Sequence, residues 1–218
     1  MIEPTQASTA LTRSYPPPPW TLAGSFLNAS FALRAKAVAA LIPEPLRLVT
    51  LPSGLALGSV TVGRYGPGST LEYNELIAAV MVRYGRRPGL YVTHIGVDNN
   101  ASLRGGRELW NLPKQLWCFE WEFDPLRVSV RVWDGVNLVC AVSEVSHSAR
   151  LWPLRGPLTT FTVRDGVVAV IPSDGDIRCN RAPWRWQPGP NSPLALFQPV
   201  GPMLTIVARG RMQVQALQ

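Results

Sequence analysis

The feature that most constrains this chain is the regular return of turn-forming residues between short runs of β-favouring ones. Leu55–Tyr65, Leu71–Tyr84, Leu90–Val97, Trp117–Phe123, Val128–Trp133, Leu138–Val145, Leu158–Arg164, Val167–Ile171 and Met203–Val214 are rich in branched and aromatic residues and read as strands. Between them stand Gly66-Pro67-Gly68, Arg87-Pro88-Gly89, Asp98-Asn99-Asn100, Asp124-Pro125, Asp134-Gly135 and Asp165-Gly166. The two Asp-Gly pairs are hairpin signals, because tight hairpin turns need left-handed backbone that glycine and aspartate tolerate. Leu22–Phe31 reads as a further strand. Leu33–Leu41 is alanine-rich with apolar residues at helical spacing and is ended by Pro43 and Pro45. A second short helix is expected over Gly106–Leu112, stopped by Pro113. The pattern predicts an α+β chain, mostly antiparallel β, with a closed or nearly closed sheet and two or three short helices.

No repeat or linker divides the chain, so a single domain is expected over residues 15–218, after a flexible tail at 1–14. Tyr15-Pro16-Pro17-Pro18-Pro19-Trp20 reads as a stiff strap laid across the first strand. The proline-rich stretch Pro183–Pro202 reads as a surface loop or a subunit contact. Hydrophobic residues make up 46% of the chain and charged ones 16%, which predicts a large core and a homo-oligomer that buries further apolar surface.

The formal charge of +7 raises nucleic acid as a partner, but the basic residues are nineteen arginines and two lysines scattered singly through strand-like segments. A nucleic-acid footprint clusters its charge, so none is expected. Three cysteines without CxxC spacing fit free thiols in a reducing compartment. Two histidines are too few for a multi-histidine metal site. No apolar run approaches the roughly 18 residues of a membrane span, and no leader pattern opens the sequence, so a cytoplasmic protein is expected. The glycines of Arg104-Gly105-Gly106-Arg107 lack dinucleotide or phosphate-loop spacing, and no cofactor is expected.

Lys114 is conspicuous in a chain that otherwise uses arginine. Trp110, Leu112, Leu116, Trp117 and Phe119 surround it in sequence. A desolvated lysine can lose its proton and attack a carbonyl, which arginine cannot do. By its neighbours alone, Lys114 reads first as a lysine whose stem covers the tryptophans while its ammonium reaches water. In Thr70–Val80, strand alternation puts Glu72, Asn74, Leu76, Ala78 and Val80 on one face and Leu71, Tyr73, Glu75 and Ile77 on the other. One glutamate must therefore face the more apolar side, to shuttle a proton or to pair with a cation. His94 lies in a strand, where a lone histidine is commonly a hydrogen-bonded core residue. Ser143, Ser146 and His147 lack a nucleophile-elbow sequence and make no hydrolase site.

Several stretches together resemble the acetoacetate decarboxylase superfamily. They are Tyr15–Trp20, Ile42–Leu46, Gly68–Tyr73, Tyr91–Asn99 and above all Gly106-Arg107-Glu108-Leu109-Trp110-Asn111-Leu112-Pro113-Lys114. The resemblance runs to about Phe119 and implies a cone-shaped antiparallel β-barrel. It implies Lys114 as the Schiff-base lysine and Glu72 as the catalytic glutamate, with Trp110, His94, Arg107 and Tyr73 at the substrate. The decarboxylase pattern departs at three places: Gln115 follows the lysine, no arginine stands at Gly24-Ser25, and no glutamate stands at Leu57-Gly58. In this respect the chain is similar to a decarboxylase-like branch of cyanobacteria and plants. The implied function is a Schiff-base lyase acting on a small keto acid, by decarboxylation or aldol-type chemistry. The alternative is a non-imine protein binding an apolar ligand, as in carotenoid or secondary-metabolite biosynthesis.

Overall fold

The computed structural model describes residues 14–124, 127–145 and 152–218. The chain begins with β1 (Trp20–Arg34), a short helix α1 (Ala35–Val38) with a 3-10 turn at Ala39–Leu41, β2 (Arg47–Leu48), β3 (Leu55–Tyr65), β4 (Tyr73–Tyr84) and β5 (Arg87–Val97). Helix α2 (Asn100–Trp110) and β6 (Lys114–Leu116) follow, then β7 (Cys118–Asp124), β8 (Arg127–Asp134) and β9 (Asn137–Val145). The chain continues through β10 (Trp152–Arg164), β11 (Val167–Arg181), β12 (Trp184–Pro188), a 3-10 turn at Pro193–Leu196 and β13 (Leu204–Val214).

Seven strands close on themselves in the order β4-β3-β1-β13-β11-β10-β5, with β5 pairing back to β4. The closure is antiparallel throughout except at β5–β10, a parallel seam of two residue pairs, Leu90 with Thr160 and Tyr91 with Phe161. Short β2 and β6 extend the sheet at β4 and β5. A second sheet, β12-β9-β8-β7, lies outside the barrel. Its Val130, Val132, Cys140, Val142 and Trp184 pack in one buried cluster with Leu27, Val60, Val62, Leu76 and Val80 of β1, β3 and β4.

That outer sheet explains why β4 is apolar on both faces. Leu76, Ala78, Val80 and Val82 belong to the core between barrel and outer sheet, whereas Tyr73, Glu75, Ile77, Ala79 and Met81 line the barrel interior. Strand alternation thus serves two apolar neighbours, and only residue size and the single carboxylate distinguish the faces.

Three expectations change. The second helix begins at Asn100, six residues before the expected start, because the Asn99 side chain accepts from the Ser102 amide and caps it. The asparagines read as a turn are therefore a helix start. The stretch Pro183–Pro202 is largely ordered against the core: β12 pairs with β9, and Trp184, Trp186, Leu194 and Phe197 are buried. The apolar residues embedded between its prolines outweigh its loop-like composition. Strands β10 and β11 run much longer than their most apolar halves, pairing from Arg164–Val167 back to Trp152–Cys179. Asp124-Pro125 and the Ser146–His147 pair fall partly or wholly outside the described residues. No helix among the described residues is long and apolar enough to cross a membrane.

Candidate active site

The backbone around Lys114 is held from both sides. Helix α2 ends at Asn111, whose φ of 53° is left-handed and whose amide donates to the Arg107 carbonyl. The Asn111 side chain donates to the Val163 carbonyl at 2.7 Å and so ties the helix end to β10. After Pro113, β6 runs parallel to β5, pairing Lys114 with Ile95. Arg107 Nε donates to the Lys114 carbonyl at 2.8 Å.

The lysine side chain lies flat against α2. A Cβ at Gly106 would fall 2.4 Å from Lys114 Cδ, and one at Gly105 would fall 2.6 Å from the Trp20 ring. The glycine pair of α2 is thus a packing surface for the lysine stem and for Trp20. Tyr15, Trp20 and Trp110 form one buried cluster over this end of the barrel, with the two indoles edge to face at 4.8 Å. The strap expected at Tyr15–Trp20 is part of it: Trp20 Nε1 donates to the Pro16 carbonyl, and Tyr15 donates to Glu108 of α2.

Lys114 is 3% exposed. Its Nζ donates to Glu75 Oε2 at 2.9 Å and to Ser102 Oγ at 2.8 Å, and it lies 5.0 Å from the centre of the Tyr73 ring. Glu75 is in turn bonded by two phenols, Tyr65 to Oε1 at 2.9 Å and Tyr73 to Oε2 at 3.4 Å. Burial, and then the Glu75 charge, hold both phenols well above the ordinary tyrosine value, so they remain donors at neutral pH. A buried pair of opposite charges persists only where further hydrogen bonds satisfy both ends, which Ser102 and the tyrosines do.

This cluster stands in the wall of a cavity of about 750 Å3 that fills the barrel. Tyr65 and Tyr73 also line a separate polar cleft on their far side, with Asp98 and Asn99.

Lys114, Tyr73 and Trp110 of the expected residues come together at the cavity. Glu72 does not: it is exposed and lines the polar cleft, and Glu75 holds the place beside the lysine. The two positions have opposite parity, so only one of them can enter the barrel, and pairing of Glu75 with Gly63 on β3 decides which. His94 is also outside the cavity. Leu90 and Val92 face inward, and unbroken alternation would bring His94 in next. The β4–β5 register shifts instead at Ala78/Ala79, leaving Thr93 as a bulge and turning Ile95 inward. The His94 ring meets Phe197 edge to face, and burial lowers its pKa. Arg107 is exposed and is not among the residues that line the cavity; its Nε donates to the lysine's backbone carbonyl.

Three members of the cluster carry little signal in the sequence. Glu75 was legible only as one of two alternating glutamates. Ser102 shares a helix face with Gly105, Gly106 and Trp110, a spacing visible only once the helix start is placed correctly. Tyr65 lies at the end of β3 and reaches Glu75 through the β3–β4 pairing of Tyr65 with Tyr73.

A closed barrel whose apolar interior holds one buried lysine against a carboxylate defines a class of barrel protein organised around that amine. The acetoacetate decarboxylase (ADC) family profile matches residues 3–180, and the chain belongs to that family. Acetoacetate decarboxylase 3 of Mesorhizobium japonicum is 26% identical over 113 residues, 47% of this chain and 39% of that protein. Acetoacetate decarboxylase of Ralstonia nicotianae is 29% identical over 105 residues, covering 47% and 40%. The chain spans less than half the length of these curated relatives. Among solved structures, an acetoacetate decarboxylase superposes with TM-score 0.69 at 19% identity, over 98% of this chain and 94% of that one. The enduracididine biosynthesis enzyme MppR, complexed with pyruvate, superposes with TM-score 0.68 at 14% identity over 96% and 92%. These superpositions show the shared barrel.

Proposed function

We propose that the protein is a carbon–carbon lyase that works through a Schiff base on Lys114. The observation that carries this reading is the lysine's place: buried, facing the cavity, with Glu75 at 2.9 Å to take its proton. With its proton on Glu75, the amine adds to a substrate carbonyl carbon and forms a C–N bond. The carbinolamine oxygen takes up protons and leaves as water, which leaves an iminium opposite the carboxylate. The C–C bond at the adjacent carbon then breaks: its electron pair flows into the iminium and gives an enamine, while the other fragment leaves as carbon dioxide or, where it carries a hydroxyl that gives its proton to Glu75, as a carbonyl compound. Glu75, with protons held nearby by Tyr65 and Tyr73, returns a proton to carbon. Water hydrolyses the product imine and frees Lys114.

Borohydride trapping tests this reading. A carbonyl compound in the cavity should give a reduced adduct on Lys114, located by peptide mass analysis and lost in Lys114→Ala. A panel of acetoacetate, pyruvate and longer carbonyl compounds that leaves Lys114 unmodified would overturn it.

The apolar lining favours a second reading, in which the barrel holds an apolar molecule without covalent chemistry. That reading expects the same ligand affinity in a Lys114→Met/Glu75→Leu protein as in the unmodified one, and no trapped adduct.

A further inference from the structure

Resting on the Schiff-base reading, we infer that the substrate is an uncharged, largely apolar ketone or aldehyde of extended shape, and not a small keto acid. Among the described residues that line the cavity, Lys114 and Glu75 are the only ones with charged side chains, and they bond each other. Among the described residues, no arginine and no histidine lines the cavity. A carboxylate carried in with the carbonyl would have only Lys114 as a cation. That amine is committed to the carbonyl carbon, and its iminium already faces Glu75. A second anion would lie unpaired in an apolar wall, beside a carboxylate of like charge.

Size points the same way. At about 750 Å3 the cavity is in the range of pockets for drug-sized ligands, about 300–1,000 Å3, and far exceeds a three- or four-carbon acid. Its far end is rimmed by leucines that are both lining and exposed: Leu57, Leu154, Leu158 and Leu204.

Besides Thr160 and Ser173, a hydrogen-bonded neutral polar patch on β1 and β3 interrupts the lining. Asn28 Nδ2 donates to Thr61 Oγ1 at 2.8 Å, and Ser30 Oγ donates to Asn28 Oδ1 at 3.0 Å. Its place follows from the register. Gly63 pairs with Glu75, Thr61 with Ile77 one inward step further on, and Ser59 with Ala79 a step beyond that. At about 3.4 Å per residue the patch lies roughly 7 to 14 Å along the strands from the Glu75 row. Asn28 keeps one amide N–H beyond the bond to Thr61, which suits a hydroxyl or carbonyl oxygen part-way along the ligand. With no carboxylate to lose, the bond broken after imine formation is that of a β-hydroxy carbonyl compound: the β-hydroxyl gives its proton to Glu75, the Cα–Cβ bond breaks, an aldehyde leaves and the electron pair gives the enamine. In the making direction, loss of an α-proton to Glu75 gives an enamine that adds to an aldehyde co-substrate.

The test is borohydride trapping of the unmodified protein with three ketones that share a methyl ketone end and differ at the other: octan-2-one, 8-hydroxyoctan-2-one and 7-oxooctanoate. The two neutral ketones should give at least about tenfold more adduct on Lys114 than the acid at equal concentration. Thr61→Arg, which brings a cation to the patch, should raise the acid's yield relative to octan-2-one by about tenfold. Equal or greater trapping of 7-oxooctanoate by the unmodified protein would overturn the substrate class while leaving the Schiff base standing. A folded Thr61→Arg protein with unchanged preference would overturn the placement of the ligand's far end. Absence of adduct from all three while acetoacetate or pyruvate traps on Lys114 would overturn the substrate class alone; absence from all five would remove the Schiff-base reading, and this inference with it.

Discussion

Lys114 and Glu75, 39 residues apart in sequence, meet at 2.9 Å inside the barrel, each almost wholly removed from water. Strand β4 brings the carboxylate and β6 the amine, and β5 lies between them in the sheet as partner to both. The pair is the one place in the described cavity wall where charge is buried.

Glu75→Gln should slow adduct formation on Lys114 by about 10² or more, because the amide cannot take the proton the amine must lose. Glu72→Gln should leave the rate unchanged. Comparison of borohydride-trapping rates checks both, and the reverse order would return the catalytic glutamate to the exposed position.

Removal of one member of the pair strands the other. Lys114→Met should cost about 3–5 kcal/mol of stability, while Lys114→Met/Glu75→Leu should recover most of it, since two apolar residues leave no orphaned charge. Urea unfolding of the two proteins side by side measures the difference.

Gly106→Ala tests the packing of the lysine stem. The change raises helix propensity by about 1 kcal/mol, yet the new Cβ would stand 2.4 Å from Lys114 Cδ. A net destabilisation of about 1–3 kcal/mol is expected, together with slower trapping as Nζ is pushed off Glu75. Stabilisation with unaltered trapping would show that the stem can move aside.

The raised phenols of Tyr65 and Tyr73 make stability fall at high pH. A group whose folded pKa lies above its unfolded value holds its proton longer when folded. Its contribution is complete below the unfolded value, about pH 10, and drains away as pH rises toward the folded one. Unfolding free energy should thus decline from about pH 10 upward, and less steeply in Tyr73→Phe. Urea titrations across this range read the slope.

His94 gives the opposite slope in acid. Burial lowers its pKa, so the unfolded chain binds the proton first and stability is lost as pH falls below about 6.5. His94→Gln should flatten that loss. The same variant should leave trapping on Lys114 intact, because the ring lies on the outer side of the barrel wall.

Local chemistry alone made a strand-rich chain with few helical residues legible, because turn dipeptides and β-branched runs act over a few residues. It also singled out Lys114, a lysine in an arginine-using chain beside tryptophans, Trp110 among them, and a helix-stopping proline; only the family resemblance assigned Tyr73 to the same site. It had no means to choose between Glu72 and Glu75, since alternation shows that two residues face opposite ways and not which way is in. That choice belongs to the pairing of β4 with β3 and β5. His94 escaped for a related reason: one bulge at Thr93 reverses the parity of the rest of β5, and a bulge is a property of two paired strands. Ser102 and Tyr65 joined the lysine only through a helix cap and a cross-strand neighbour. Turn chemistry and residue type set the kind of chain and marked out its amine; strand pairing selected the carboxylate, hydroxyl and phenols that face that amine, because inside and outside exist only once the barrel closes.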